Sequence, residues 1–260
     1  MTEDRVRPSP WKFQSQVLKA LILRDMTSSF GDKRLGYIWG LLGPVLVVCI
    51  LIMIFTVRGR AGSPLLPLMV FIATGFPIFF AFNSLWNAAS NVAPGGLLMF
   101  PQITLLDLIA SKVMLEFATQ TAAFVVICAG FILVGGAPLP ADPLTLMMAF
   151  WGCLWIGAAI GLFHMSVRRV LPVIDFFLTP VKRLGVFISG VIFTAAELPS
   201  WVLPYFSWNP IFKGIEIART SWYPAYRSPL YLPWDIVWVA IFLTALGFIA
   251  ERITRRYDGR

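Results

Sequence analysis

A run of 23 residues without a charged side chain, Leu35 to Val57, most constrains what this chain can fold into. As an α-helix it would be about 35 Å long, because each residue adds about 1.5 Å, and the hydrocarbon core of a bilayer is about 30 Å thick. Charged residues stand directly before it at positions 32–34. Tyr37 and Trp39 lie near its start, where aromatic rings favour the level of the lipid headgroups. The run predicts a transmembrane helix.

The composition extends this prediction to the whole chain. Hydrophobic residues make up 58% of it and charged residues 13%, whereas soluble proteins average about 25% charged residues. The 260 residues provide room for about six spans. We therefore expect an all-α membrane protein with six transmembrane helices and no cleavable signal peptide. The predicted spans are Leu35–Val57, Leu65–Trp86, Val113–Gly135, Leu144–Val167, Val170–Ala196 and Trp234–Glu251.

The segment before the first span predicts an amphipathic helix over residues 11–30. Apolar residues recur every four positions at Phe13, Val17 and Leu21, and basic residues take the other side. A helix of this kind lies along a membrane surface. Two alternatives stay open for it: the helix only holds the N-terminus at the membrane, or it also contacts a cytoplasmic partner.

Basic residues are distributed unequally between the two sides of this six-span layout. Sixteen of the 21 lysines and arginines fall on the side that carries both termini. Because cytoplasmic loops accumulate Lys and Arg, we predict that both termini are cytoplasmic. The chain then divides into a cytoplasmic N-terminus (1–34), a transmembrane domain (35–251) and a cytoplasmic tail (252–260).

The fifth predicted span is unusual because it contains charged residues. Its uncharged part, Leu184–Ala196, has 13 residues and would be about 20 Å long as a helix, which is too short to cross. The membrane helix must therefore include Lys182 and Arg183, and it extends towards Asp175. Charges at that depth are costly unless they reach the surface or face water. Either both basic residues extend to the inner membrane surface, or they line a hydrated cavity that attracts an anionic substrate.

One long stretch of the chain, from Ala61 to Leu106, contains no charged residue. It is too long for a single span. The segment 91–107, which covers the end of this stretch and Asp107, contains Pro94-Gly95-Gly96 and predicts a cytoplasmic loop with a short helix. Two alternatives stay open for this loop: it inserts into the groove of a partner protein, or it runs along the membrane.

The segment between the fifth and sixth spans is rich in aromatic residues and proline. We predict short interfacial or re-entrant helices over residues 197–222, on the external side. Asn209 and Pro210 form a typical helix start, since asparagine caps a helix and proline fits its first position. In the helix that follows, Lys213 and Glu216 are predicted to lie apart from the apolar face.

No pattern in the sequence predicts catalysis. A Gly-x-x-x-x-Gly-Lys-Ser/Thr motif is missing, so we do not expect this chain to bind ATP in that manner. The three cysteines lie in apolar stretches without metal-ligand spacing, and the single histidine, His164, is expected to be structural. We therefore predict no catalytic residues, no metal site and no cofactor bound by this chain. Its basic charge is explained by the membrane orientation, so no nucleic acid partner is expected.

Two stretches resemble the permease subunits of type-2 ATP-binding-cassette exporters. Residues 21–55 combine an arginine-containing interfacial helix with a Leu-Gly-Tyr-x-Trp entry into the first span. Residues 198–219 resemble the external helices of that family and include its Trp-Asn-Pro sequence. Length and six-span layout match as well, so the resemblance covers essentially the whole chain. Within the family, the chain is most similar to the inner-membrane permeases that export capsular polysaccharide in Gram-negative bacteria.

The resemblance implies a homodimer in the bacterial inner membrane that works with two copies of a separate ATPase subunit, on which ATP and magnesium bind. The loop at 91–107 becomes the coupling helix, and a periplasmic or outer-membrane export complex is a further expected partner. The residues implied at the ATPase contact are Arg24, Asn91, Leu97, Met99, Phe100, Pro101 and Asp107. The residues implied along the substrate pathway are Tyr37, Trp39, Arg58, Arg60, Lys182, Arg183, Trp201 and Trp208.

The function that follows from this resemblance is ATP-driven export of an acidic, lipid-linked capsular polysaccharide from the cytoplasm across the inner membrane. Export of an O-antigen or teichoic-acid type of glycan is one alternative. Export of a small drug or a lipid is another, and it predicts a narrow and mainly apolar pathway. A scaffold membrane protein without transport activity is a third, and it predicts no ATPase partner.

Overall fold

The computed structural model describes residues 10–30, 35–57, 65–92 and 103–258, and every regular element in these ranges is helical. The all-α class predicted from the sequence is therefore confirmed for the described part of the chain. The helices are α1 (Pro10–Phe30), α2 (Leu35–Val57), α3 (Leu68–Ser90), α4 (Leu105–Leu133), α5 (Pro143–Val170), α6 (Ile174–Ile188), α7 (Leu203–Phe206), α8 (Pro210–Trp222) and α9 (Pro233–Asp258), with a short 3₁₀ turn at Ala195–Glu197.

Four of these helices, α3, α4, α5 and α9, are long and apolar enough to cross a bilayer. They coincide with the predicted spans two, three, four and six, although α4 begins at Leu105 rather than at Val113. Helix α2 has the bounds predicted for the first span, and its apolar part over Leu42–Val57 falls among the described side chains. Helix α5 lies at the centre of the bundle, where it packs against α3, α8 and α9.

Helix α1 forms where the amphipathic helix is predicted, and it packs against α4. Asp25 is buried in this contact, where it accepts a hydrogen bond from the Ser111 hydroxyl at 2.8 Å and pairs with Arg24 at 2.5 Å. These contacts fix α1 on the start of α4. Its placement along a membrane surface stays a prediction.

Helices α4, α5 and α8 begin at side chains that cap the exposed backbone N–H groups of a first turn. Thr104 and Asp107 bond to each other's backbone N–H groups at the start of α4. Hydrogen bonds from the hydroxyl and the backbone N–H of Thr145 hold the pKa of Asp142 below its ordinary value, so that the cap of α5 stays ionised. Asn209 caps α8, as predicted.

The helix in the fifth predicted span is shorter than expected, because α6 ends at Ile188 and the chain continues without regular α-helix instead of as a helix to Ala196. Gly190 has a φ of 71°, in the left-handed region that glycine tolerates, and a Cβ atom there would lie 2.3 Å from the ring of Phe212. Asn209 donates to the Ile188 carbonyl at 2.9 Å and so satisfies the end of α6. With 15 residues, α6 spans about 22 Å.

Helix α8 is buried inside the bundle against α3, α5 and α9. Its re-entrant or interfacial placement in a membrane stays a prediction. The predicted polar face is wrong, because Glu216 is fully buried while Lys213 is partly exposed and pairs with Asp235 at 2.7 Å. Glu216 pairs with Arg219, which is one turn further along the same helix and is also buried. The sequence pattern does not show that both charges of this pair lie inside the bundle.

A buried cluster of charges holds α8 in place. Arg219 Nη1 donates to Glu216 Oε1 and to the carbonyl of Phe193, both at 2.9 Å, and its guanidinium lies 4.6 Å from the ring centre of Phe71 on α3. The hydroxyl of Tyr226 donates to the other carboxylate oxygen of Glu216 at 2.5 Å. The cluster therefore joins α3, α8 and the two segments that flank α8.

We expect Arg219→Met to destabilise the protein strongly, by about 3–5 kcal/mol, because it leaves the buried Glu216 carboxylate without its counter-charge. Lys213→Met is the matched control on the same helix, where loss of a partly exposed ion pair costs at most about 1 kcal/mol. The thermal unfolding midpoint in detergent measures both. Equal midpoints for the two variants would contradict the role given to the buried pair.

Helices α3 and α5 touch backbone to backbone at two glycines. A Cβ atom on Gly157 would lie 2.4 Å from the carbonyl oxygen of Phe82, and one on Gly161 would lie 2.7 Å from that of Trp86. Two small residues at this spacing of four indicate close packing of membrane helices, and the contacts of Gly157 and Gly161 agree with it.

Gly157→Ala is expected to push α3 and α5 apart and to lower stability by about 1–3 kcal/mol, as overpacking does. Gly130→Ala on α4 is the control, because a Cβ atom there meets no atom within 4 Å. Its stability should stay equal or rise by up to about 1 kcal/mol through better helix propensity. The thermal unfolding midpoints of the two variants in detergent are compared. If Gly157→Ala left the stability unchanged, the contact between α3 and α5 would be loose.

Candidate functional site

An open cavity of 630 Å³ lies between α3, α5 and α6, which is within the usual size of ligand sites, about 300–1,000 Å³. We call it the basic cavity. Apolar side chains of Phe79, Phe80 and Val186 form part of its wall, and polar or charged side chains form the rest. The polar and charged lining residues are Asn83, Asn87, Asn91, His164, Arg168, Asp175, Thr179, Lys182 and Arg183.

Lys182 of α6 points across the basic cavity towards α3. Its Nζ donates to Asn87 Oδ1 at 2.9 Å and to the Ser90 hydroxyl at 3.4 Å, and it lies 4.6 Å from the ring centre of Trp86. The neighbouring Arg183 lines the same cavity and is exposed. Both residues predicted for the substrate pathway on α6 are therefore brought to one cavity.

His164 connects the three helices around this cavity. Its Nδ1 accepts a hydrogen bond from Trp86 Nε1 at 3.2 Å, so its Nε2 carries the proton that it donates to Asp175 Oδ1 at 2.7 Å. The second oxygen of Asp175 lies 3.6 Å from Arg168 Nε. His164 is buried and has protein partners on both nitrogens, as expected of a structural histidine.

Positive charge exceeds negative charge around the basic cavity. Arg168, Lys182 and Arg183 carry three positive charges, and Asp175 is the acid among its lining residues. Clefts of one sign with apolar walls focus the electrostatic field and raise the local concentration of the opposite charge. This arrangement can therefore attract an anionic group.

Three asparagines form a row along the basic cavity, two on α3 and one directly after its last residue. Asn83, Asn87 and Asn91 follow one another at intervals of four residues, so they lie on one side of α3 and its C-terminal cap over about 12 Å. An amide side chain both donates and accepts hydrogen bonds, as a sugar hydroxyl does. Only Asn91 was among the predicted site residues, and there as a contact with the ATPase. Sequence reasoning missed the other two, and the regular spacing of amides in an apolar helix is the signal that could have identified them.

Several predicted site residues lie away from the basic cavity. Trp201 and Trp208 are on the segment around α7, where 74% and 89% of their surfaces are exposed. Tyr37 and Trp39 lie on α2, but their side chains are outside the described set. Arg58 and Arg60 fall outside the described residues.

Of the residues predicted at the ATPase contact, some lie outside the described residues and others lie within them. Leu97, Met99, Phe100 and Pro101 lie outside the described residues. Asn91 faces the basic cavity, where its side chain accepts from Arg168 Nη1 at 3.2 Å. Asp107 caps α4 and accepts a hydrogen bond from Gln14 of α1, and Arg24 pairs with Asp25. Asp107 and Arg24 thus both lie where α1 meets α4.

Three relatives show what this chain is similar to. The capsule polysaccharide export inner-membrane protein CtrC of Neisseria meningitidis is 26% identical, over 90% of this chain and 89% of the relative. BexB of Haemophilus influenzae, which has the same description, is 26% identical over 81% and 80%. The polysialic acid transport protein KpsM of Escherichia coli is 27% identical over 85% and 86%. The resemblance to capsular polysaccharide export permeases is confirmed.

No family model matches the chain. The similarity to these permeases extends over most of both partners in each comparison.

Proposed function

We propose that this chain is the permease subunit of an ATP-driven exporter that moves capsular polysaccharide from the cytoplasm across the inner membrane. The observation that carries this proposal is the similarity to capsule polysaccharide export inner-membrane proteins along most of the chain. An ATPase on a separate subunit would supply the energy. The permease itself would carry no catalytic residue.

The proposed cargo is an acidic, lipid-linked glycan. The excess positive charge of the basic cavity suits carboxylate or phosphate groups, and the asparagine row beside it suits sugar hydroxyls. One relative is named for the transport of polysialic acid, an acidic polymer. The charged lining of the basic cavity argues against the drug or lipid alternative, which predicts a mainly apolar pathway.

The proposed topology has six spans with both termini in the cytoplasm. Helices α3, α4, α5 and α9 provide four of them, α2 provides another, and α6 with the segment that follows it fills the place of the fifth in chain order. The inward-pointing Nζ of Lys182 favours the hydrated-cavity alternative for this helix over extension to the membrane surface. A homodimer would place two basic cavities beside one pathway.

Replacing Lys182 and Arg183 together by glutamine is expected to lower export of an acidic capsule at least about tenfold, because the cavity loses two of its three positive charges. Surface polysaccharide is measured in a strain whose own permease gene is deleted. Lys19→Gln removes an exposed basic residue of α1 and serves as the control. Unchanged export by the double variant would show that the basic cavity does not attract the polymer.

Phe100→Asp places a charge in the uncharged loop that is proposed to contact the ATPase. We expect the variant to lose the ATPase that co-purifies with the unaltered permease, measured by pull-down and by ATP hydrolysis of the eluate. Leu139→Asp is the matched control, since Leu139 is 75% exposed in the loop between α4 and α5, at the opposite end of α4. A permease that never retains an ATPase would favour the scaffold alternative.

A further inference from the structure

A second cavity, separate from the basic cavity, is apolar. It has a volume of 370 Å³ and lies between α1, α4, α5 and α9. The residues that line this apolar groove are Leu18, Leu106, Asp107, Ile109, Ala110, Val113, Trp155, Ala158, Ala159, Leu162, Thr244 and Phe248. Trp155 Nε1 donates to the Thr244 hydroxyl at 2.9 Å, so the polar groups of these two side chains bond to each other.

The apolar groove adjoins a basic site at the end of α9. Phe248 lines the groove and also a neighbouring cavity of 580 Å³, whose other lining residues are Glu251, Arg252, Arg255 and Arg256. The three arginines are exposed, and none of them forms an ion pair with an acid among the residues that the structure describes. Even with Glu251 ionised, this arginine end carries two net positive charges.

We propose that the apolar groove and the arginine end together bind one anionic phospholipid. An acyl chain would lie in the groove between α4, α5 and α9, and the headgroup phosphate would bind Arg252, Arg255 and Arg256. Guanidinium groups pair well with phosphate oxygens, and basic pockets at the ends of transmembrane helices bind anionic headgroups.

The relative depth of the apolar groove and the arginine end favours a lipid over other occupants. Thr244 and Arg255 are separated by 11 residues of α9, which is about 16 Å along the helix axis. The apolar part therefore lies deeper in the bundle than the charges, which is the order of chain and headgroup in a bilayer. Small side chains at Ala110, Ala158 and Ala159 leave the width that a chain needs.

This site is independent of the proposed cargo. Its α5 residues, from Trp155 to Leu162, precede the α5 residues of the basic cavity, His164 and Arg168, and neither cavity shares a lining residue with the other. A lipid held here would fix α9 against α4 and α1, next to the α1–α4 contact at Asp107. It would therefore bind whether or not a polymer is exported.

The test uses the full chain, purified and mixed with phosphatidylglycerol or with phosphatidylcholine of the same acyl chains. Native mass spectrometry counts the lipid that stays bound. We expect preferential retention of phosphatidylglycerol, and at least about a tenfold loss of it when Arg252, Arg255 and Arg256 are all replaced by glutamine. Lys19→Gln, which removes an exposed charge elsewhere, should leave retention unchanged.

A pair of variants on α4 tests the groove separately. Ala110→Leu fills it and should reduce retention of both lipids, whereas Ala129→Leu adds the same volume at an exposed position outside the groove and should have no effect. Equal retention by these two variants would mean that the lipid is bound non-specifically around the bundle.

Two further outcomes overturn the proposal. If the triple arginine variant retained as much phosphatidylglycerol as the unaltered protein, the three arginines would not bind the headgroup. If that variant lost a co-purifying ATPase and kept its lipid, the arginine end would be a protein contact. Capsule export is measured in parallel, so that failure of the lipid site is distinguished from failure of the proposed function.

Discussion

The close contact between α3 and α5 determines where the groups of the basic cavity lie. Gly157 and Gly161 let the backbones touch, and Trp86, whose carbonyl faces Gly161, then reaches His164 on α5 with its indole N–H. His164 in turn bonds to Asp175 and so fixes the start of α6. The packing of α3 and α5 at these two glycines thereby sets the position of Asp175, which lies on a third helix, α6.

The buried pair of Glu216 and Arg219 has a different role, because it allows a helix with two buried charges to lie inside the bundle. Removing charges from water is costly, and the pair offsets part of that cost through mutual attraction and through hydrogen bonds to Tyr226 and the Phe193 carbonyl. Since that carbonyl belongs to the segment that follows α6, the same cluster also helps to fix this segment. The cluster thus holds α8 and the segment after α6 together.

Much of the fold could be predicted from the sequence, because length and apolar runs decide which segments cross a membrane. The bounds of α2 and the cap of α8 at Asn209 follow from local chemistry alone. The early end of α6 could not be predicted, since it depends on a left-handed Gly190 that packs against Phe212 from a distant helix. Glu216 was misplaced for the same reason: a helical pattern shows which residues share a face, and it does not show what covers that face. Lys182 and Arg183 stood out by their charge, whereas the neutral Asn87 did not.

If the proposed polymer passes beside α6, the shortness of this helix has a consequence for it. Helix α6, about 22 Å long, is shorter than the hydrocarbon core is thick, so the polymer would lie beside this helix over only part of the membrane. Fewer sugars would then have to give up their water at the same time, and each of them could regain it after a short passage. The free energy of dehydration, which rises with the number of polar groups that are buried together, would be set by the protein rather than by the thickness of the membrane.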